Sequence, residues 1–135
     1  YITRLISPLM AGREQGHIVN IGSIAGREVY ENGNVYCATK FAVDALTQGM
    51  RIDLLKYNIK VTNIAPGMVE TEFSEVRFKG DKNRAAEVYK GLTPLNPEDI
   101  AEAILFVVTR PAHVTINDML IMPTAQASVH HVKRI

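Results

Sequence analysis

With 135 residues, 47% of them hydrophobic, and a net charge of +1 at pH 7, the chain has room for one globular domain with a real core. Its near balance of charge gives no electrostatic reason to expect nucleic acid or an anionic membrane as a partner, and its lysines and arginines are scattered rather than massed. No apolar run approaches the roughly 18 residues needed to span a bilayer. The one cysteine, Cys37, excludes an internal disulfide and fits a reducing compartment, so the cytoplasm is the expected location.

Tyr1 to Arg13 places Ile2, Leu5, Ile6, Leu9 and Met10 at helical spacing. The chain is therefore expected to begin inside a helix that closes near Gly16, with Pro8 as a kink or a mark of its last turns. His17 to Ile21 is short, β-branched and bounded by glycines, as suits a buried parallel strand. Gly22 to Asn34 reads as a loop. From Val35 to Tyr57 apolar residues recur every three to four positions, which predicts one long helix stopped at Asn58. Lys60 to Ala65 is a second strand, ended by Pro66-Gly67. Met68 to Thr93 is irregular, with a short helix from Asp81 to Tyr89. Asn96-Pro97-Glu98-Asp99 combines a good N-cap, a first-turn proline and two acids, and announces a helix reaching about Thr109. Asp118 to Met122 is a third strand, and Pro123 to Ile135 a tail. This alternation is that of an α/β fold, a doubly wound parallel sheet. Three strands are few for such a sheet, so further strands are expected before Tyr1.

The chemistry concentrates between Gly16 and Lys40. Tyr36 and Lys40 lie one turn apart on the long helix and share a face. A phenol titrates at about 10 in isolation, and an ammonium about 4–6 Å away favours its ionised form. Ser23, at the carboxyl end of the first strand, is the natural third group, because ligands of open α/β sheets bind at that edge. Pro66-Gly67 closes the next strand at the same edge. A tyrosine and lysine four apart are common in helices; with Ser23 placed 13 residues before Tyr36, and with Pro66-Gly67, the set becomes specific.

On the segments Asn20-Ile21-Gly22-Ser23-Ile24-Ala25-Gly26, Tyr36-Cys37-Ala38-Thr39-Lys40 and Pro66-Gly67-Met68-Val69-Glu70-Thr71, the chain resembles the C-terminal half of a short-chain dehydrogenase/reductase. The resemblance covers essentially the whole chain. It implies a Rossmann-like domain of which residues 1–135 are the C-terminal part. Ser23 would orient the substrate hydroxyl or carbonyl, Tyr36 would be the general acid/base, and Lys40 would lower the pKa of Tyr36 and bond the nicotinamide ribose. Pro66, Gly67, Met68, Val69, Glu70 and Thr71 would wrap the nicotinamide, with the Val69 backbone on its carboxamide and the Thr71 hydroxyl on the carboxamide or pyrophosphate. The segments IVNIGSIAGR, VETEFSEVRFKGD and PTAQAS are similar to the subgroup that oxidises small 3-hydroxy acids, serine and allo-threonine among them, with NADP. NADP is therefore the expected cofactor, with NAD left open. Arg77, in a lid spanning residues 71–93, is the candidate for a substrate carboxylate; a surface arginine is the competing reading. The resemblance also implies homodimers or homotetramers packed through the first and the long helices, with the tail (residues 123–135) reaching a neighbour.

The family's glycine-rich phosphate loop, ribose selector and active-site asparagine have no counterpart here, so these residues alone are expected neither to bind a dinucleotide well nor to turn over. His130-His131 lacks a carboxylate or cysteine partner, and no metal site is expected. Two functions stay in view: an oxidoreductase of small hydroxy acids, and a non-catalytic relative, or an inert truncated one, acting through association.

Overall fold

Three short segments pair side by side in the order in which they occur, β1 (Gly16–Ile21), β2 (Ile59–Pro66) and β3 (Asp118–Ile121). The computed structural model describes every residue from Tyr1 to Ile135. Both pairings are parallel. Gly16 faces Ile59 and Ile21 faces Ile64 on one side of β2; Asn63 faces Asp118 and Pro66 faces Ile121 on the other. Every strand therefore ends at the same edge.

The central strand β2 is the most deeply buried element, with Val61, Ile64 and Ala65 wholly enclosed. Side chains alternate across a strand, and this divides the sheet between two helices. Val19, Ile64, Met119 and Ile121 face one way and meet Ile100, Ile104 and Val107 of α5 (Pro97–Val108). Asn20 and Asn63 face the other way, toward α2 (Asn34–Leu54): the Asn20 amide donates to Thr47 Oγ1 at 2.8 Å, and the Asn63 amide to Asp44 Oδ1 at 3.2 Å. Asn63 also donates to Asp118 Oδ1 at 2.9 Å, and Asp118 forms an ion pair with Arg27.

The helix boundaries follow local chemistry. Helix α5 opens with a full capping box: Asn96 Oδ1 accepts from the Asp99 N–H, and Asp99 Oδ2 accepts from the Asn96 N–H. The long helix ends earlier than its periodicity suggests, at Leu54. A 3₁₀ turn (Leu55–Tyr57) follows, and Asn58 then takes the left-handed conformation (φ 55°) that stops the chain. The first helix, α1 (Ile2–Gly12), carries Pro8 in its interior and continues past it. None of its residues is buried, and Ile2, Leu5 and Leu9 are largely exposed. Its amphipathic pattern is real, but the apolar side is uncovered.

One expectation needs correction. The segment after β2 contains two short helices rather than one: α3 (Phe73–Arg77) precedes α4 (Lys82–Tyr89). Lys79 and Gly80, both at positive φ, turn the chain between them. A helix of five residues is too short to leave a periodic signature. The tail folds back over its own chain. Ile135 N–H donates to the Gly91 carbonyl, and the Arg134 guanidinium donates to the carbonyls of Val88 and Lys90. No helix is long and apolar enough to cross a membrane.

Candidate active site

The common edge where β1 and β2 end opens into a cleft of about 400 Å³. Its walls come from four distant parts of the sequence: Gly22 and Ser23 after β1, Tyr36 and Lys40 on α2, Pro66 to Val69 with Thr71 after β2, and Gln126 in the tail. Arg77 and Phe73 of α3 close it from above the loop.

Ser23 is fixed by its own turn. It N-caps the 3₁₀ turn Ile24–Gly26, accepting from the Ala25 N–H at 3.1 Å, and its hydroxyl lies 3.5 Å from the Pro66 carbonyl. The turn then sits hard against α2: a methyl group at Gly26 would come within 2.8 Å of the Lys40 carbonyl oxygen. That contact sets the separation between the serine loop and the helix bearing Tyr36 and Lys40.

Tyr36 lies in the cleft with its ring 5.4 Å from that of Phe73, centroid to centroid. Burial pushes its phenol above the ordinary value of 10. The Ser23 side chain pulls in the opposite direction, Tyr30 adds to the rise, and Arg77 opposes it. The net direction is upward. The Lys40 ammonium stands 5.8 Å from the Tyr36 ring centroid and donates to the Ile21 carbonyl at 3.0 Å, while burial lowers its own pKa. It is held by the end of β1.

The loop after β2 is set by its backbone. The Leu95 N–H donates to the Met68 carbonyl and the Glu70 N–H to the Leu95 carbonyl, so Val69 bridges to Leu95. The Val69 carbonyl accepts from the Tyr89 hydroxyl at 2.9 Å, but the Val69 N–H, in the cleft wall, has no acceptor within the protein. The Thr71 hydroxyl accepts from the Phe73 N–H at 3.2 Å and so starts α3. Pro66, Gly67, Met68, Val69 and Thr71 all line the cleft; Glu70 does not, because extended backbone turns its exposed side chain away.

The model of the short chain dehydrogenase family matches residues 1–82. The chain belongs to this family. It is 48% identical to the NADP-dependent 3-hydroxy acid dehydrogenase of Schizosaccharomyces pombe, covering 98% of the chain and 51% of that protein. It is 50% identical to the NADP-dependent 3-hydroxy acid dehydrogenase YdfG of Salmonella typhi, covering 96% of the chain and 54% of that protein. Among solved structures, the closed form of serine dehydrogenase complexed with NADP+ superposes with a TM-score of 0.93 at 47% identity, over 100% of the chain and 55% of its own. The chain spans about half the length of the curated relatives it matches.

Ser23, Tyr36, Lys40 and Arg77 line one cleft, but the sequence reading missed several residues that shape it. Tyr30 covers Gly33 so closely that a Cβ there would meet its ring at 2.4 Å, and the Arg77 guanidinium stacks 5.4 Å from that ring's centroid. Tyr89 reaches from α4 to Val69 and also bonds the buried Ser74 at 2.8 Å. Both are aromatic residues within polar segments, which is the one signal that could have marked them. His130 and His131 take part in the tail's own bonding, His130 with the Val29 carbonyl and His131 with Ser128.

Proposed function

We propose that these residues are the C-terminal part of a single Rossmann-like dehydrogenase domain, and that the complete protein transfers hydride between NADP and a small hydroxy acid. The observation that carries the reading is the convergence of Ser23, Tyr36 and the unpaired Val69 N–H on one cleft. Both similar enzymes are named for NADP and 3-hydroxy acids, and the superposing structure for serine. The cleft volume lies within the usual range for small-molecule sites, and the free Val69 N–H suits a carboxamide-bearing ring.

When bound, the dinucleotide supplies the hydride chemistry. Ser23 holds the substrate oxygen against Tyr36, and Tyr36 gives a proton to that oxygen on reduction or takes it on oxidation. Lys40, anchored on Ile21, stands beside the phenol where ribose hydroxyls can reach its ammonium. Cofactor contacts from Pro66, Gly67, Met68, Val69 and Thr71 are chiefly backbone contacts. The lid (residues 71–93) excludes water over the reacting atoms. The free Cys37 and the uncovered apolar sides of α1 and α2 support a cytoplasmic homodimer or homotetramer.

The raised pKa of Tyr36 gives this reading a pH signature. Below that pKa the phenol is protonated, so proton donation is available at neutral pH and is lost as pH rises through the pKa. Proton acceptance needs the phenolate, whose fraction grows about tenfold per pH unit below the pKa. The kcat/KM for hydroxy acid oxidation is therefore expected to climb steadily from about pH 7 to about pH 10, while carbonyl reduction stays flat before falling. Initial rates in both directions check this, and an oxidation rate independent of pH across that range would count against Tyr36 as the base.

Arg77 is the group proposed to take the substrate carboxylate. It lines the cleft, and neither of the two ion pairs, Arg27–Asp118 and Lys90–Glu87, involves it. A guanidinium bonds a carboxylate through two parallel hydrogen bonds. Arg77→Met in the complete protein is expected to raise KM for the hydroxy acid about 10- to 100-fold, as loss of a charged pair implies, and to leave KM for NADP near its starting value. Equal KM values for the acid in the two proteins would remove Arg77 from the site.

A further inference from the structure

The tail carries one residue whose position the proposed reaction does not explain by itself. Gln126 is almost completely buried, and both ends of its amide are bonded. Its Oε1 accepts from the Met68 N–H at 2.9 Å, and its Nε2 donates to the Ser128 carbonyl at 3.3 Å. Its own N–H donates to the Pro123 carbonyl. Gly67 faces it so closely that a Cβ there would meet Oε1 at 2.5 Å. A side chain from the end of the sequence thus lies against the backbone of the loop that follows β2.

Peptide geometry shows what this contact holds. In a trans peptide the carbonyl and the N–H point in opposite directions. The Met68 carbonyl is engaged by the Leu95 N–H, so the Val69 N–H of the same peptide points away from Leu95, and Val69 itself lines the cleft. Rotation of that peptide would reverse that direction. The Leu95 bond restrains it on one side, and the Gln126 bond to the preceding N–H restrains it on the other. The rest of the tail keeps Gln126 in place: Val129 N–H donates to the Glu28 carboxylate at 3.0 Å, and Lys133 N–H to the Ala125 carbonyl at 2.8 Å.

We propose that Gln126 is a positioning residue for the dinucleotide, holding the Met68 peptide so that the Val69 N–H is presented to a carboxamide. This rests on the reading of the cleft as a dinucleotide site. The carrying atom is Oε1; the amide nitrogen serves only the tail.

The test uses the full-length protein and reads direct binding as well as turnover. NADPH is titrated by its fluorescence, and KM for NADP, KM for the hydroxy acid and kcat are measured separately. Gln126→Met keeps the volume and removes the acceptor. Its Kd for NADPH and its KM for NADP are expected to rise about tenfold, as befits one lost hydrogen bond to a buried donor, with kcat at saturating NADP and KM for the acid unchanged within about twofold. Arg134→Met loosens the tail at Val88 and Lys90 without touching Met68, and is expected to bind NADPH as the unsubstituted protein does. Unchanged NADPH binding in Gln126→Met overturns the proposal, as does an equal loss in Arg134→Met. If Gln126→Met does not fold, Gln126→Glu, which keeps an oxygen toward Met68, is measured instead; binding within about threefold of normal supports the proposal and a tenfold loss overturns it. A protein that binds NADPH but oxidises no hydroxy acid refutes the proposed function while leaving Gln126 testable by Kd. One that binds neither NADPH nor NADH refutes both.

Discussion

Replacing Tyr36 by phenylalanine in the complete protein is expected to lower kcat about 10²- to 10⁴-fold, the usual contribution of a positioned general acid or base. The substitution removes one oxygen and leaves the ring, which packs at 5.4 Å against Phe73. Helix α2 and the cleft should therefore keep their shape, and NADPH binding should change little. The pH dependence described above should disappear with the activity, because the residual reaction no longer passes a proton through a phenol. Steady-state rates beside a fluorescence titration check both halves. A variant with near-normal turnover would return the chain to the class of non-catalytic dinucleotide-fold proteins.

The second large effect is expected at a residue that touches no substrate. Gly26→Ala would place a methyl group 2.8 Å from the Lys40 carbonyl oxygen and 3.1 Å from its carbon. These are backbone atoms in the middle of α2 and cannot rotate aside, so the turn Ile24–Gly26 must move away from the helix. Overpacking of this kind costs about 1–3 kcal/mol, which urea denaturation of wild type and variant would show. The same displacement carries Ser23 away from Tyr36, and misplacing a reacting group by about 1 Å can cost on the order of a hundredfold in rate. Loss of kcat/KM without loss of stability would mean that the turn yields easily, and full activity would mean that the spacing between Ser23 and Tyr36 is not set here.

Much of this arrangement was legible in the residues themselves. The three strands announced themselves by short apolar runs between glycine, proline and asparagine, and α5 by Asn96 to Asp99. Ser23, Tyr36 and Lys40 could be brought together because strand ends in a parallel sheet share one edge and helical residues four apart share one face. What escaped either was too short to show a period or depended on contacts between separate segments. Helix α3 is a single turn started by one threonine hydroxyl. The pKa direction of Tyr36 depends on how deeply the phenol is enclosed, which no spacing reveals; Lys40 is drawn to the Ile21 carbonyl, a backbone acceptor that the pattern of side chains does not show. The fold of the tail over Val88 to Gly91 likewise rests on main-chain carbonyls, which every sequence possesses.

The parallel order of β1, β2 and β3 also bears on how the cleft is acquired as the chain folds. A parallel pair cannot close through a tight turn; each pairing here waits for a long crossover, α2 in one case and α5 in the other. Closing such loops costs entropy before any contact is gained, and folds rich in distant contacts assemble slowly. Ser23, Tyr36, Val69 and Gln126 meet only when both crossovers and the tail are in place. A partly folded chain would hold helices but no cleft, so the cleft arrives late and all at once.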